Sequence, residues 1–251
     1  MGKIIAVVNQ KGGVGKTTSA VNLTAALAEA GKRVLLCDFD PQANATSGLG
    51  IDKRKLRTSV YDVVVNGIPV TDPIVHTKFG DVLPATADLA GAAVELITME
   101  DPSHRLRDAL YQVKSQYDVI LIDCPPSLEM LTLNALAASE GILVPVQCEY
   151  YALEGLTDLM NTLRLVKKRI NPNLEIFGVA LTMFDGRTNF SNQVAQEVRR
   201  HFPGKVFATV IPRNVRLAEA PSHGLPVTVY DKHSKGAHAY RALAEEFIKR
   251  L

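Results

Sequence analysis

The chain has 251 residues, 47% of them hydrophobic and 22% charged, with a net charge of +2 at pH 7 and no tryptophan. Length and composition fit a globular protein with a sizeable core, one large α/β domain or two small ones, and exclude a disordered or disulfide-stapled class. The net charge is too small to mark a nucleic-acid partner by itself. Cys37, Cys124 and Cys148 sit in or beside apolar runs and form no C-x-x-C pair. They are expected as small buried hydrophobes in a reducing compartment, without zinc or an iron–sulfur cluster. No run approaches the ~18 apolar residues of a membrane span, and no signal-peptide pattern opens the chain. Met1-Gly2 is followed by Ala6 where myristoylation expects Ser or Thr. A cytoplasmic location is expected.

The apolar run at residues 4–8 predicts a buried strand, and Lys-Gly-Gly-Val-Gly-Lys-Thr-Thr follows it at residues 11–18. Strand, glycine-rich turn and helix in that order capture anions. Gly12, Gly13 and Gly15 permit φ > 0, so that successive N–H groups converge on a phosphate. The helix start adds partial positive charge, Lys16 reaches the β/γ-phosphates, and Thr17 offers a hydroxyl to phosphate-bound Mg²⁺. The general pattern G-x-x-x-x-G-K-[ST] has glycine where this chain has Gln10, and a second lysine, Lys11, starts the loop instead.

A helix is expected over residues 17–30, closed by Gly31, and a strand over 34–37 that ends at Asp38. Ser59-Val60-Tyr61-Asp62 has the form of a capping box ahead of a short helix. A weak strand at 82–84 precedes helices at 88–99 and 103–116. The run at 119–122 leads into Asp123, and 142–146 is a further buried strand. A long helix is expected at 153–170, strands at 176–182 and 206–210 around a helix at 193–202, and a terminal helix at 237–251. Continuously apolar strands separated by helices predict an α/β fold: one doubly wound, mostly parallel sheet with helices on both faces, as a single domain over residues 1–251.

Ligands of such sheets bind beyond the carboxyl ends of the strands. That end collects the phosphate loop, Asp38 and Asp40, and Asp123. Asp123 after Val119-Ile120-Leu121-Ile122 has the form of a Walker B carboxylate able to hold Mg²⁺ opposite Thr17. An ordinary helix cap is the competing reading, because Pro125-Pro126-Ser127 opens a helix. Asp38-Phe39-Asp40-Pro41-Gln42 could supply a carboxylate that orients a water for attack on the γ-phosphate, though aspartate before proline is also common turn chemistry. The basic clusters Lys53–Arg57, Lys167–Arg169 and Arg199-Arg200 read individually as solvated faces.

Together KGGVGKTT, DFDPQANAT, VILIDCPPS, PVQCEYYALEG and IPRNVRLAEAPSHG resemble the ParA/MinD family of deviant Walker A ATPases, in particular its chromosomal ParA (Soj) branch. The resemblance runs the length of the chain. It implies a P-loop NTPase fold and a slow, partner-stimulated ATPase that segregates chromosomes or plasmids with ATP and Mg²⁺. It further implies an ATP-bound sandwich homodimer, in which Lys11 reaches the other subunit's phosphates, that binds double-stranded DNA without sequence preference and associates with the nucleoid. A ParB-type centromere-binding protein would then trigger hydrolysis and release. On this resemblance Lys11, Gly12, Gly13, Val14, Gly15, Lys16, Thr17 and Thr18 bind ATP, and Met183, Pro212 and Asn214 hold the adenine. Asp40 activates water with Lys11 and Lys16 as catalytic partners, Thr17, Asp38 and Asp123 serve the metal, and Arg187 and Arg216, in loop-like segments, contact DNA.

The rival within the family is a MinD-like membrane-cycling ATPase, which needs a terminal amphipathic helix. The stripe Ala237, Tyr240, Leu243, Ala244, Phe247, Ile248 and Leu251 has helical spacing, but the opposite face mixes acids with bases. Packing on the sheet is the expected use, with no stable membrane association. A reductase-type relative would need cluster ligands from Cys124 or Cys148, and neither has a partner at ligand spacing. With the phosphate loop starting at residue 11, no preceding helix-turn-helix reader is expected.

Overall fold

The computed structural model describes residues 2–149 and 152–251, the side chains of residues 152–155 excepted. Tyr150 and Tyr151 of the PVQCEYYALEG segment lie outside the described residues. The runs expected as buried strands form the middle of one sheet. β1 (Lys3–Val7), β2 (Val34–Asp38), β5 (Val119–Asp123) and β6 (Gly141–Gln147) are buried almost throughout, because helices cover both faces. With β3 (Val75–Thr77), β4 (Gly80–Leu83), β7 (Glu175–Phe184) and β8 (Val206–Pro212), the order is β3-β4-β2-β5-β1-β6-β7-β8. Among the described residues only β3 runs antiparallel to its neighbour.

Register decides where the chemistry gathers. Val7 pairs with Asp123 across β1 and β5, and Asp38 pairs with the same Asp123 across β2 and β5. Three adjacent strands therefore end level, which sets the phosphate loop, Asp38 and Asp123 side by side. β1 is also where the order turns from β5 to β6, the crevice position in an open α/β sheet.

One face of the sheet is covered by α1 (Lys16–Glu29) and α10 (Lys235–Arg250), which share a core with Ile5, Val7, Leu36 and Leu121. In α10, Ala237, Tyr240, Leu243, Ala244 and Phe247 are at most 1% exposed, and the Tyr240 hydroxyl meets Ser19 Oγ of α1 at 3.1 Å. Most of the terminal apolar stripe is thus spent on packing, with Ile248 half-buried and Leu251 exposed. The other face carries α3 (Leu89–Ile97), α4 (Arg105–Val113), α5 (Met130–Ala138), α6 (Ala152–Arg169) and α7 (Asn189–His201). No helix among the described residues is long and apolar enough to cross a membrane.

Several elements differ from expectation for identifiable reasons. β3 is three residues long and mostly polar, so only part of the β3–β4 hairpin shows in the sequence. α5 is apolar on all sides and carries no helical period, and it starts five residues beyond Pro125. α7 begins four residues before the expected start because the Thr188 hydroxyl accepts the Ser191 N–H at 3.2 Å, a side-chain N-cap. The capping box at Ser59 forms in half: the Ser59 N–H donates to Asp62 Oδ2 at 2.8 Å, but the Ser59 hydroxyl accepts the Tyr61 N–H at 3.2 Å and not that of Asp62, ahead of a π-helical turn at Asp62–Asn66. Three short helices are absent from the expected elements: α2 (Asn44–Gly48), α8 (Val215–Glu219) and α9 (Val227–Tyr230). All three cysteines are free and buried.

Candidate nucleotide site

The phosphate loop leaves β1 at Val8, whose N–H still donates to Leu143 O at 3.0 Å. Gly13 and Gly15 have φ of 74° and 88°, a left-handed backbone that glycine adopts without steric cost. Gly12 corrects the expectation: its φ is not positive, and a Cβ there would meet nothing within 4 Å in this chain. The loop is tied down from outside. Thr182 Oγ1 on β7 donates to Val14 O at 2.8 Å, and Lys16 Nζ donates to Lys11 O at 3.2 Å.

Lys16, the first residue of α1, is only 7% exposed. Burial lowers its pKa, with the Asp123 charge acting in the opposite direction. Asp123 and Asp38 are both fully buried. Asp38 is partnered: its Oδ2 accepts from the Thr46 N–H and hydroxyl, each at 2.7 Å, and its Oδ1 from the Asp40 N–H at 3.3 Å. Burial still pushes its carboxyl up to about 6. The Thr46 hydroxyl in turn accepts the Ala85 N–H at 3.0 Å.

Asp123 has neither kind of relief. Both its oxygens are buried without a hydrogen-bond partner, and burial drives its pKa well above the ordinary carboxylate value. The Thr17 hydroxyl favours the ionised form without reaching hydrogen-bond geometry. A carboxylate in that position carries a desolvation penalty of several kcal/mol. A hard divalent cation offsets it, and carboxylate with hydroxyl oxygen is the donor chemistry that Mg²⁺ takes. Asp40 lies two residues beyond β2, 9% exposed, with Oδ1 accepting the Gln42 N–H at 2.9 Å.

Beside the loop is a cleft of about 340 Å³ whose lining includes Gly15, Thr18, Met183, Pro212, Asn214 and Tyr240. The three residues expected around adenine thus meet at one cavity next to the phosphate loop. Met183 stands at φ 49°, an uncommon conformation for a non-glycine residue and one concentrated at ligand sites. Asn214 caps α8, its Oδ1 accepting the Arg216 N–H at 2.8 Å.

Arg187 and Arg216 follow the adjacent strands β7 and β8, Arg187 in a loop as expected and Arg216 not. Arg216 lies in the first turn of α8, not in a loop, and pairs with Glu219 at 2.8 Å and Asp231 at 3.2 Å. Arg187 is in a loop and is held by Asp185 at 2.7 Å. Both remain accessible, with side chains 47% and 89% exposed respectively.

Residues 2–176 match the family model of the AAA domain. The sporulation initiation inhibitor protein Soj of Bacillus subtilis is 59% identical over 248 residues, which are 98% of each chain. The chain belongs to the Soj/ParA family. The chromosome partitioning protein ParA of Myxococcus xanthus is 52% identical, over all of this chain and 89% of its own. The chromosome-partitioning ATPase Soj of Thermus thermophilus is 54% identical, over 98% and 96%. Among solved structures, the Pyrococcus furiosus cell division ATPase MinD superposes with a TM-score of 0.83 at 33% identity, each chain fully covered. The cobyrinic acid a,c-diamide synthase of Mycobacterium smegmatis, solved with bound ADP and magnesium, gives 0.87 at 38% identity, covering 99% of this chain and 95% of its own. As a Soj/ParA protein the chain is a chromosome-partitioning ATPase with a P-loop NTPase fold.

Proposed function

We propose that this ATPase, a single domain over residues 1–251, is a switch whose ATP-bound dimer holds DNA and whose hydrolysis lets it go. Its substrate is ATP and its cofactor Mg²⁺, as in relatives solved with ADP and magnesium. The observation that carries the residue assignment is the partnerless Asp123 carboxylate, buried level with the phosphate loop and Asp38 at three strand ends. Thr17 and Asp123 hold the metal, with Asp38 beside them. Bound there, Mg²⁺ neutralises charge on the phosphates.

Gly12 to Thr18 present N–H groups and hydroxyls to the phosphates, and Lys16 pairs with their charge in the ground state. Met183, Pro212 and Asn214 take the adenine, for which the Asn214 amide still has its NH₂ to donate. Asp40 orients the attacking water through Oδ2, which has no hydrogen-bond partner among the described residues, while Gln42 fixes Oδ1. Lys11 serves the phosphates of a second copy, so that full charge neutralisation in the transition state requires assembly. Gly12 supports the same arrangement. Among the described residues a Cβ at Gly12 has open space, so Gly12→Val should leave the monomer folded and act where a second loop approaches, preventing a productive closed dimer. A ParB-type partner accelerates the step, and the protein resides on the nucleoid.

DNA meets the dimer through Arg187 and Arg216. Their present ion pairs are exposed and worth ~1 kcal/mol or less, so a phosphate can take over either guanidinium. Replacing one arginine removes two contacts from a two-fold dimer and should flatten the slope of log K against log salt by about 1.8. Measured on unrelated duplexes at several salt concentrations, Arg187→Ala and Arg216→Ala should keep ATP-dependent dimerisation. Both should lose affinity equally on every sequence, because phosphate contacts carry no base information. Unchanged binding by the double variant would contradict the assignment and direct attention to Lys53–Arg57. The MinD-like alternative has less support, since five residues of the stripe it needs, Ala237, Tyr240, Leu243, Ala244 and Phe247, are buried against the sheet.

A further inference from the structure

Asn9 lies between the first strand and the phosphate loop, 7% exposed, and both ends of its amide are used. Nδ2 donates to Pro145 O in β6 at 2.8 Å, and Oδ1 accepts the Lys11 N–H at 3.0 Å. The β1–β6 ladder explains the first bond. Val7 is opposite Leu143, and the Val8 N–H donates to Leu143 O. The next rung of a parallel ladder would be the Gln10 N–H on Pro145 O. The Asn9 side chain takes that acceptor, so β1 can end there without leaving a buried carbonyl unpaired. The second bond is an Asx turn, which bends the backbone out of the strand direction at Lys11.

The Lys11 peptide is then held on two sides, its N–H by Asn9 and its carbonyl by Lys16 Nζ. On the proposed role of Lys16, its ammonium turns from that carbonyl to the phosphates when nucleotide binds. The Asn9 bond, which lies on the other side of the peptide, stays in place to hold the Lys11 N–H in the state in which dimers form. We infer that Asn9 is a positioning residue that aims Lys11 at the second subunit, through a bond anchored to β6. The inference rests on the reading of Lys11 as the residue that completes the partner's site. It adds what sets the direction of that lysine.

The test uses Asn9→Ala, Asn9→Ser, Lys11→Ala and the double variant Asn9→Ala/Lys11→Ala in the full chain. Two quantities are measured for each: affinity of the monomer for ADP, and the dimer dissociation constant with ATP. Asn9→Ala should bind ADP like wild type and dimerise about tenfold more weakly or worse, the effect of losing about one hydrogen bond's fixation. Asn9→Ser, whose hydroxyl can still accept from residue 11, should recover part of the loss. If Asn9 acts through Lys11, the double variant dimerises no worse than Lys11→Ala alone. Wild-type dimerisation of Asn9→Ala would overturn the inference. So would a parallel loss of ADP affinity, or additive losses in the double variant, since each marks general support of the loop. Wild-type dimerisation of Lys11→Ala would instead remove the reading of Lys11 on which the inference stands, and is separately visible.

Discussion

Asp40→Ala is expected to bind ATP, dimerise and stall. The carboxylate lies past the end of β2, and one oxygen is committed to the Gln42 N–H while the other has no hydrogen-bond partner among the described residues. Its proposed work is on the water, so ground-state affinity for ATP should survive its loss. General-base and water-orienting groups contribute about 10²- to 10⁴-fold, and hydrolysis stimulated by the ParB-type partner should fall by that order. A long-lived ATP dimer on DNA should accumulate. The side chain also shapes its own turn, in which the Asp40 carbonyl accepts the Ala43 N–H at 2.8 Å. Asp40→Asn separates the two roles, because it keeps an acceptor for Gln42 but is a poor base. Equal stalling of the two variants assigns the defect to chemistry. Wild-type hydrolysis by Asp40→Ala contradicts the assignment.

Lys16→Ala fails one step earlier. The ammonium is buried among carboxylates at the first residue of α1, and it is placed to meet phosphate charge before any reaction. Removing it deletes a charge-assisted contact and leaves Asp123 and Asp40 without the cation that faces incoming phosphates. A buried charged hydrogen bond is worth about 1.5–3 kcal/mol, and the uncompensated acids add repulsion, so nucleotide affinity should drop by about a hundredfold or more. Titration with a fluorescent ATP analogue reads this directly. Near-normal affinity in Lys16→Ala would mean that the loop backbone alone holds the phosphates.

The contrast between these variants follows from which parts of the site are local in sequence. Strand, glycine turn, lysine and hydroxyl lie within fifteen residues, so the phosphate loop is legible from periodicity and spacing. Asp38 and Asp123 are legible because each ends a continuous apolar run, and a carboxylate there has to serve something. Their alignment is not legible, since it depends on β5 lying between β1 and β2. Asn9, Thr46 and Thr182 escape notice for a related reason. Each acts through a side-chain bond to a segment far along the chain: Asn9 to Pro145, Thr46 to Ala85 and Thr182 to Val14. The adenine residues enter by family resemblance, since nothing in Met183, Pro212 or Asn214 marks a purine until β7 and β8 bring them to one cleft. Arg216 reads as a loop residue because five-residue helices have no period, and α8 is identified only by its Asn214 cap.

The central claim is that ATP, by joining two copies, creates the DNA-binding species. Sedimentation velocity of the wild-type chain without nucleotide, with ADP and with ATP, each with and without a short duplex, tests it most directly. The account predicts a monomer without nucleotide and with ADP, a dimer with ATP, and co-sedimentation with the duplex only in the ATP sample. A stable dimer without nucleotide, or an ADP-bound monomer that carries DNA with equal affinity, would contradict it.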